Sequence, residues 1–155
     1  MAKLKGLNIT GACQDGADYF NSFDTPQDFV KNCYRGDWLL WLFKRTNPED
    51  IRLLTLAKAH CANTVRHLMK DNRSIAAVDA AIAFGNGKIT VEELKADGAD
   101  AATYDAADAA YAAAAYAADA DAAAAYDAAV NARTKNRQDT ADSCRKYLPL
   151  EVWNF

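Results

Sequence analysis

The chain has 155 residues, about half of them apolar, and a formal net charge of −3, which fits one domain with a core of ordinary size. So weak an acidic balance argues against non-specific nucleic-acid binding, which needs a strong basic field. No apolar run approaches the roughly 18 residues of a membrane span; WLLWLF, at 38–43, is far too short.

Residues 1–23 are read as an irregular N-terminal segment. Its opening, MAKLKGLNIT, lacks the apolar stretch of a signal peptide, so a cytoplasmic protein is expected. Asp24, Thr25 and Pro26 then combine a capping residue with a Pro at the first helical position, and Gly36 supplies a stop. These signals predict a helix over 26–34. Asp37 can cap a second helix carrying Trp38, Leu39, Leu40, Trp41, Leu42 and Phe43, which is apolar around nearly its whole circumference and therefore expected to be buried.

Asn47, Pro48, Glu49 and Asp50 form a third start signal, with acids where the helix dipole favours them. The predicted helix, 48–70, is amphipathic. Leu54, Ala57, Cys61, Val65 and Leu68 fall on one face, and Arg52, His60, Arg66, His67 and Lys70 on the opposite one. Residues 74–84 continue as a short Ala-rich helix that Gly85, Asn86 and Gly87 end. Thr90 to Glu93 reads as a capping box for the next.

From Thr90 to Pro149 the only residue that readily breaks a helix is Gly98. A single helix over 91–147 would be about 85 Å long, against a radius of gyration of about 15 Å for a domain of this size. Breaks are therefore expected at Asp97-Gly98 and within the polar run Asn131 to Gln138, leaving helices over 91–96, 99–131 and 137–147. Residues 97–132 contain 21 Ala, seven Asp and four Tyr, with no Lys or Arg. Ala is the best helix former, so this stretch needs little tertiary help. The fold class that follows is all-α: a compact bundle with a long Ala-rich central helix.

Candidate functional residues fall into two sets. On the central helix Tyr104, Asp108, Tyr111, Asp119 and Tyr126 line one side while the other is almost pure Ala. That stripe is either the solvated face of a packed helix or a recognition surface for a protein partner. The second set, Arg52, Arg66, His67 and Arg73 with Arg45 nearby and with Trp38 and Trp41, has the chemistry to hold an anion and stack on a base. Both tryptophans also suit core packing, and the cations a solvated helix face. Cys13, Cys33, Cys61 and Cys144 are too widely spaced for a zinc site or a CxxC motif, and read as buried free thiols. His60 and His67, seven apart, do not make a standard metal pair. No metal or cofactor is expected, and no nucleophile with a base or metal triad can be assembled for an enzyme.

The string Cys33-Tyr34-Arg35-Gly36-Asp37-Trp38-Leu39-Leu40-Trp41-Leu42, with Ala59-His60-Cys61-Ala62, Val65-Arg66-His67-Leu68, Ile89 to Leu94 and Cys144 to Pro149, resembles the immunity protein family of bacterial polymorphic-toxin loci and phage genomes. The resemblance covers residues 12–149. It implies an all-helical, non-enzymatic protein that neutralises a toxin or immune effector by binding it, as an immunity or phage counter-defence inhibitor. The acidic Tyr/Asp face would meet a basic effector surface. The alternative is a sponge that sequesters a small nucleotide signal using the Arg and Trp set. A homo-oligomer built on Ala seams is a further expectation.

Overall fold

Gly6 and Gly11 take φ of 78° and 95°, values that side-chain-bearing residues rarely adopt. They let the first residues double back. Strand β1 (Ala2–Lys3) pairs antiparallel with β2 (Thr10–Ala12), and Asn21 pins the turn by accepting from Lys5 N at 2.7 Å and donating to Lys3 O at 3.1 Å. Asn21 ends helix α1 (Gln14–Asn21). Residues 2–21 thus hold two short strands and a helix where an irregular segment was expected. The strands depend on a remote side chain, and α1 starts at Cys13 without a side-chain cap, so neither carries a strong local signal.

The computed structural model describes residues 2–70, 72–96 and 125–155; the side chains of Ala2, Ala96 and residues 125–129 fall outside that description. Among these residues the chain is an all-α bundle of seven helices with the small hairpin at one end. No helix among them is long and apolar enough to cross a membrane.

Helix α2 (Pro26–Asn32) begins as the sequence indicates, with Thr25 Oγ1 accepting from Asp28 N at 3.1 Å. It stops two residues short of the predicted end because Cys33 turns extended and its carbonyl accepts from Arg145 Nη1 at 2.6 Å. Helix α3 (Gly36–Thr46) corrects a second expectation. Gly36 is not a stop but the first residue of α3, and Asp37 lies in its first turn rather than capping it. The cause is tertiary. A Cβ on Gly36 would lie 2.6 Å from Thr140 Oγ1 and 2.7 Å from the Thr140 carbonyl carbon, so only glycine lets α3 meet the last helix this closely. Gly36→Ala is accordingly expected to lower stability by about 1–3 kcal/mol through overpacking. Urea unfolding checks this, and an unchanged midpoint would mean that the contact can yield without loss.

Helix α4 (Ile51–Asn63) is shorter at both ends than the predicted 48–70. Pro48 and Glu49 stay in a turn, and a separate 3-10 turn (Arg66–Leu68) follows Thr64, whose hydroxyl bonds back to Cys61 O at 2.7 Å. Helix α5 (Asn72–Gly85) lies against α4, where a Cβ on Gly85 would sit 2.5 Å from Leu56 Cβ. Helix α6 (Val91–Ala96) starts with the expected reciprocal cap: Thr90 N donates to Glu93 Oε2 at 2.7 Å and Glu93 N to Thr90 Oγ1 at 3.2 Å.

Helix α7 (Ala125–Tyr147) runs unbroken through the polar stretch where a break was expected. Spacings of four hold it there: Lys135 Nζ bonds Asp139 Oδ2 at 2.5 Å and Gln138 Nε2 bonds Asp142 Oδ1 at 3.2 Å. Asn136 turns inward to Thr64 Oγ1 at 3.3 Å. The predicted Ala-rich helix over 97–132 lies outside the described residues up to 124. Helices α3, α4 and α7 enclose the main core around Leu39, Leu42, Phe43, Ala57, Cys61, Ala141 and Leu148, and smaller clusters join α5 to α4 and α6 to α5. A 3-10 turn (Leu150–Val152) then returns Trp153 to the main core.

Candidate functional site

Trp38 and Trp41 are three residues apart on α3 and both half-buried, so the helix turns them to one side. There the hairpin, α1 and α2 fail to close over α3. The gap is a cleft of about 480 Å3 lined by Leu4, Gly11 and Ala12 from the N-terminal hairpin, by Trp38 and Trp41 from α3, and by Phe20 and Phe29. Its size is that of a small-molecule site, for which about 300–1,000 Å3 is usual. Gly16 brings α1 close, since a Cβ there would lie 3.5 Å from Trp38 Nε1. Tyr19 and Tyr34 place their rings 5.6 and 5.8 Å from Trp38.

Two arginines meet the tryptophans differently. The Arg35 guanidinium carbon is 4.3 Å from the Trp38 ring centre, and the same group forks onto Asp37, Nε to Oδ1 at 3.0 Å and Nη2 to Oδ2 at 2.6 Å. That wall is charge-balanced. Arg45, one turn beyond Trp41, sits 5.3 Å over its ring, and a Cβ on Gly11 would come within 3.8 Å of Arg45 Nη2. No carboxylate pairs with Arg45 among the described residues. The exposed Arg45 therefore puts a positive charge beside the Trp41 end of the cleft, just outside its lining.

Elsewhere the reactive side chains are used in packing. Cys61 and Cys144 place their sulfurs 3.6 Å apart in the core, with Cys144 also facing Gly36 O at 3.5 Å. Burial pushes the Cys33 thiol up to about 11, and the neighbouring Cys61 and burial push Cys144 up as well. Such thiols stay protonated and are poor nucleophiles. Cys13 departs from the expected burial: it alone of the four is exposed, at the cleft, just ahead of α1. His60 stacks on Tyr147 with ring centres 3.8 Å apart and planes 5° from parallel; burial, then Lys146, lowers its pKa. That histidine joins α4 to α7. Among the described residues no group of three or more His, Cys, Asp or Glu is placed to hold a metal.

The structure gathers only part of the predicted anion set. Trp38 and Trp41 line the cleft together, whereas Arg52, Arg66, His67 and Arg73 do not line it. Arg52 Nη1 donates to Phe84 O at 2.5 Å and its guanidinium lies 4.4 Å over the Phe84 ring, fastening α4 to the end of α5. Arg66 forks onto Asp79 at 2.5 and 2.8 Å. His67 is exposed on the 3-10 turn and Arg73 on the first turn of α5. Tyr104, Asp108, Tyr111 and Asp119 lie outside the described residues, as does the side chain of Tyr126.

Sequence reasoning passed over Arg35 and Asp37 as cleft residues; Arg45, named there only as a neighbour of the basic set, stands beside the cleft over Trp41 without being part of its lining. The Trp41 and Arg45 spacing of four was a readable sign, because such pairs share a helix face. The Arg35 to Asp37 fork spans a helix start and had no comparable sign. No family model, curated protein or solved structure matches this chain.

Proposed function

We propose that this chain is a non-enzymatic binding protein that sequesters a small planar ligand of the nucleotide class in the Trp38–Trp41 cleft. The observation that carries this reading is the pairing of two half-buried indoles with a cleft of about 480 Å3. Stacking a base on an aromatic side chain contributes about 1–3 kcal/mol and tolerates any base, since each has a π-face. The Arg35–Asp37 fork holds one wall in a fixed arrangement, which lowers the ordering that binding requires.

The expected result is a rise in melting temperature with a panel of mononucleotides and cyclic nucleotides, accompanied by quenching of tryptophan fluorescence. A ligand at 100 times its Kd stabilises by about 2.7 kcal/mol, which is easily read. Trp38→Ala and Trp41→Ala should each remove the shift while circular dichroism stays helical. A flat response across the panel overturns the proposal.

A second reading, inhibition of a toxin or immune effector protein, is favoured by the seven Asp and the absence of Lys and Arg over 97–132, and by the resemblance to immunity proteins. The Tyr104, Asp108, Tyr111, Asp119 and Tyr126 stripe would then be the contact, with charge setting partner choice. A flat nucleotide panel together with a protein partner retained in native mass spectrometry would support it.

A further inference from the structure

We infer that the ligand of the cleft carries one anionic group beside its ring, and that Arg45 holds it at the Trp41 end; this rests on the nucleotide reading above. The chemical class is a nucleoside monophosphate, open or cyclic. The argument is one of charge placement. Both tryptophans already face a guanidinium, Arg35 at 4.3 Å and Arg45 at 5.3 Å, so a cationic ligand would meet like charge at the Trp41 ring. Asp37 offsets Arg35 through a two-point fork, but Arg45 has no such carboxylate among the described residues. An anion therefore gains at one end only.

The geometry around Arg45 suits that task. Its guanidinium lies next to β2, with Nη2 3.8 Å from where a Cβ on Gly11 would stand. A phosphate bound by Arg45 would draw the guanidinium off the Trp41 face, and that face would then be open to the base. Arg matches phosphate oxygens with two parallel donors. The indole surface and the fork donor thus act on adjacent parts of one ligand. None of the basic residues of α4 and α5 singled out from sequence is needed.

The test titrates tryptophan fluorescence with guanosine, adenosine and their 5′-monophosphates at low salt. For the natural chain the monophosphates are expected to bind about tenfold more tightly than the nucleosides, the scale of one hydrogen bond to a charged group. In Arg45→Ala the ratio of the two affinities, each measured on that variant, should fall to about twofold, and Arg45→Lys should restore part of it. Added salt should narrow the gap in the natural chain. Arg45 is exposed, so the unfolding midpoint of Arg45→Ala serves as the control for folding. Nucleosides bound as tightly as monophosphates, or a gap that survives Arg45→Ala, overturns the inference and leaves the cleft reading standing. Binding of neither overturns both.

Discussion

Replacing Phe43 with Ala is expected to lower the unfolding free energy by about 3–5 kcal/mol. Phe43 is wholly buried in the middle of α3, and its ring meets Trp153 edge-on, with centres 5.0 Å apart and planes at 86°. Truncation removes a large apolar surface and leaves a cavity that rigid helices cannot fill, because interiors are packed as densely as organic crystals. A single domain is stable by only about 5–15 kcal/mol, so this one change removes a large share. Urea unfolding is the measurement, with Ile51→Ala as the reference: Ile51 is 50% exposed, and a change there should stay within about 0.5 kcal/mol. A double-mutant cycle with Trp153→Ala should show coupling of about 0.5–1.5 kcal/mol from the edge-on pair. Equal losses at Phe43 and Ile51 would show that the α3 core is not where the stability lies.

Asn47→Ala should follow, at about 2–4 kcal/mol, since it strips partners from several polar groups at once. The Asn47 side chain is buried and acts in four bonds. Its Nδ2 donates to Val152 O at 2.6 Å and Asp50 Oδ2 at 3.1 Å, and its Oδ1 accepts from Thr46 Oγ1 at 2.7 Å and Asn154 N at 3.2 Å. One amide thus ties the α3–α4 turn to the C-terminal segment more than 100 positions away. Loss of the amide should free that segment before the rest unfolds, so hydrogen exchange at the Asn154 amide should quicken well beyond the change in global stability. Exchange that tracks global stability alone would mean that Trp153, held through Nε1 to Leu148 O at 3.0 Å, suffices to keep the segment in place.

The parts legible in the chain were those with a local cause. Leu54, Ala57 and Cys61 of the predicted stripe are buried on α4 as read, because a spacing of three and four puts residues on one helical face whatever the neighbours do; Val65 is buried past the end of that helix and Leu68 is only half-buried on the 3-10 turn. Pro26 and the Thr90 to Glu93 box start helices where they stand, since their bonds close within four residues. Trp38 and Trp41 share a side for the same reason. What escaped was set by distant partners. Asn47 looked like a helix cap until Val152 drew its amide away, and Gly36 looked like a stop until Thr140 needed the space.

The cleft divides along the same line. Helical spacing alone put Trp38, Trp41 and Arg45 along one side of α3, and composition alone made the chain helical and weakly acidic. Only the tertiary structure decided that the hairpin would stand off from that side and leave a cleft. It alone committed Arg52 to the carbonyls of the α5 end and Arg66 to Asp79, while Arg45 kept its charge beside the opening. The physical reason is range. Periodicity and capping act over one turn, whereas pairing of a charge depends on which helix arrives beside it, and that is fixed by how the cores pack.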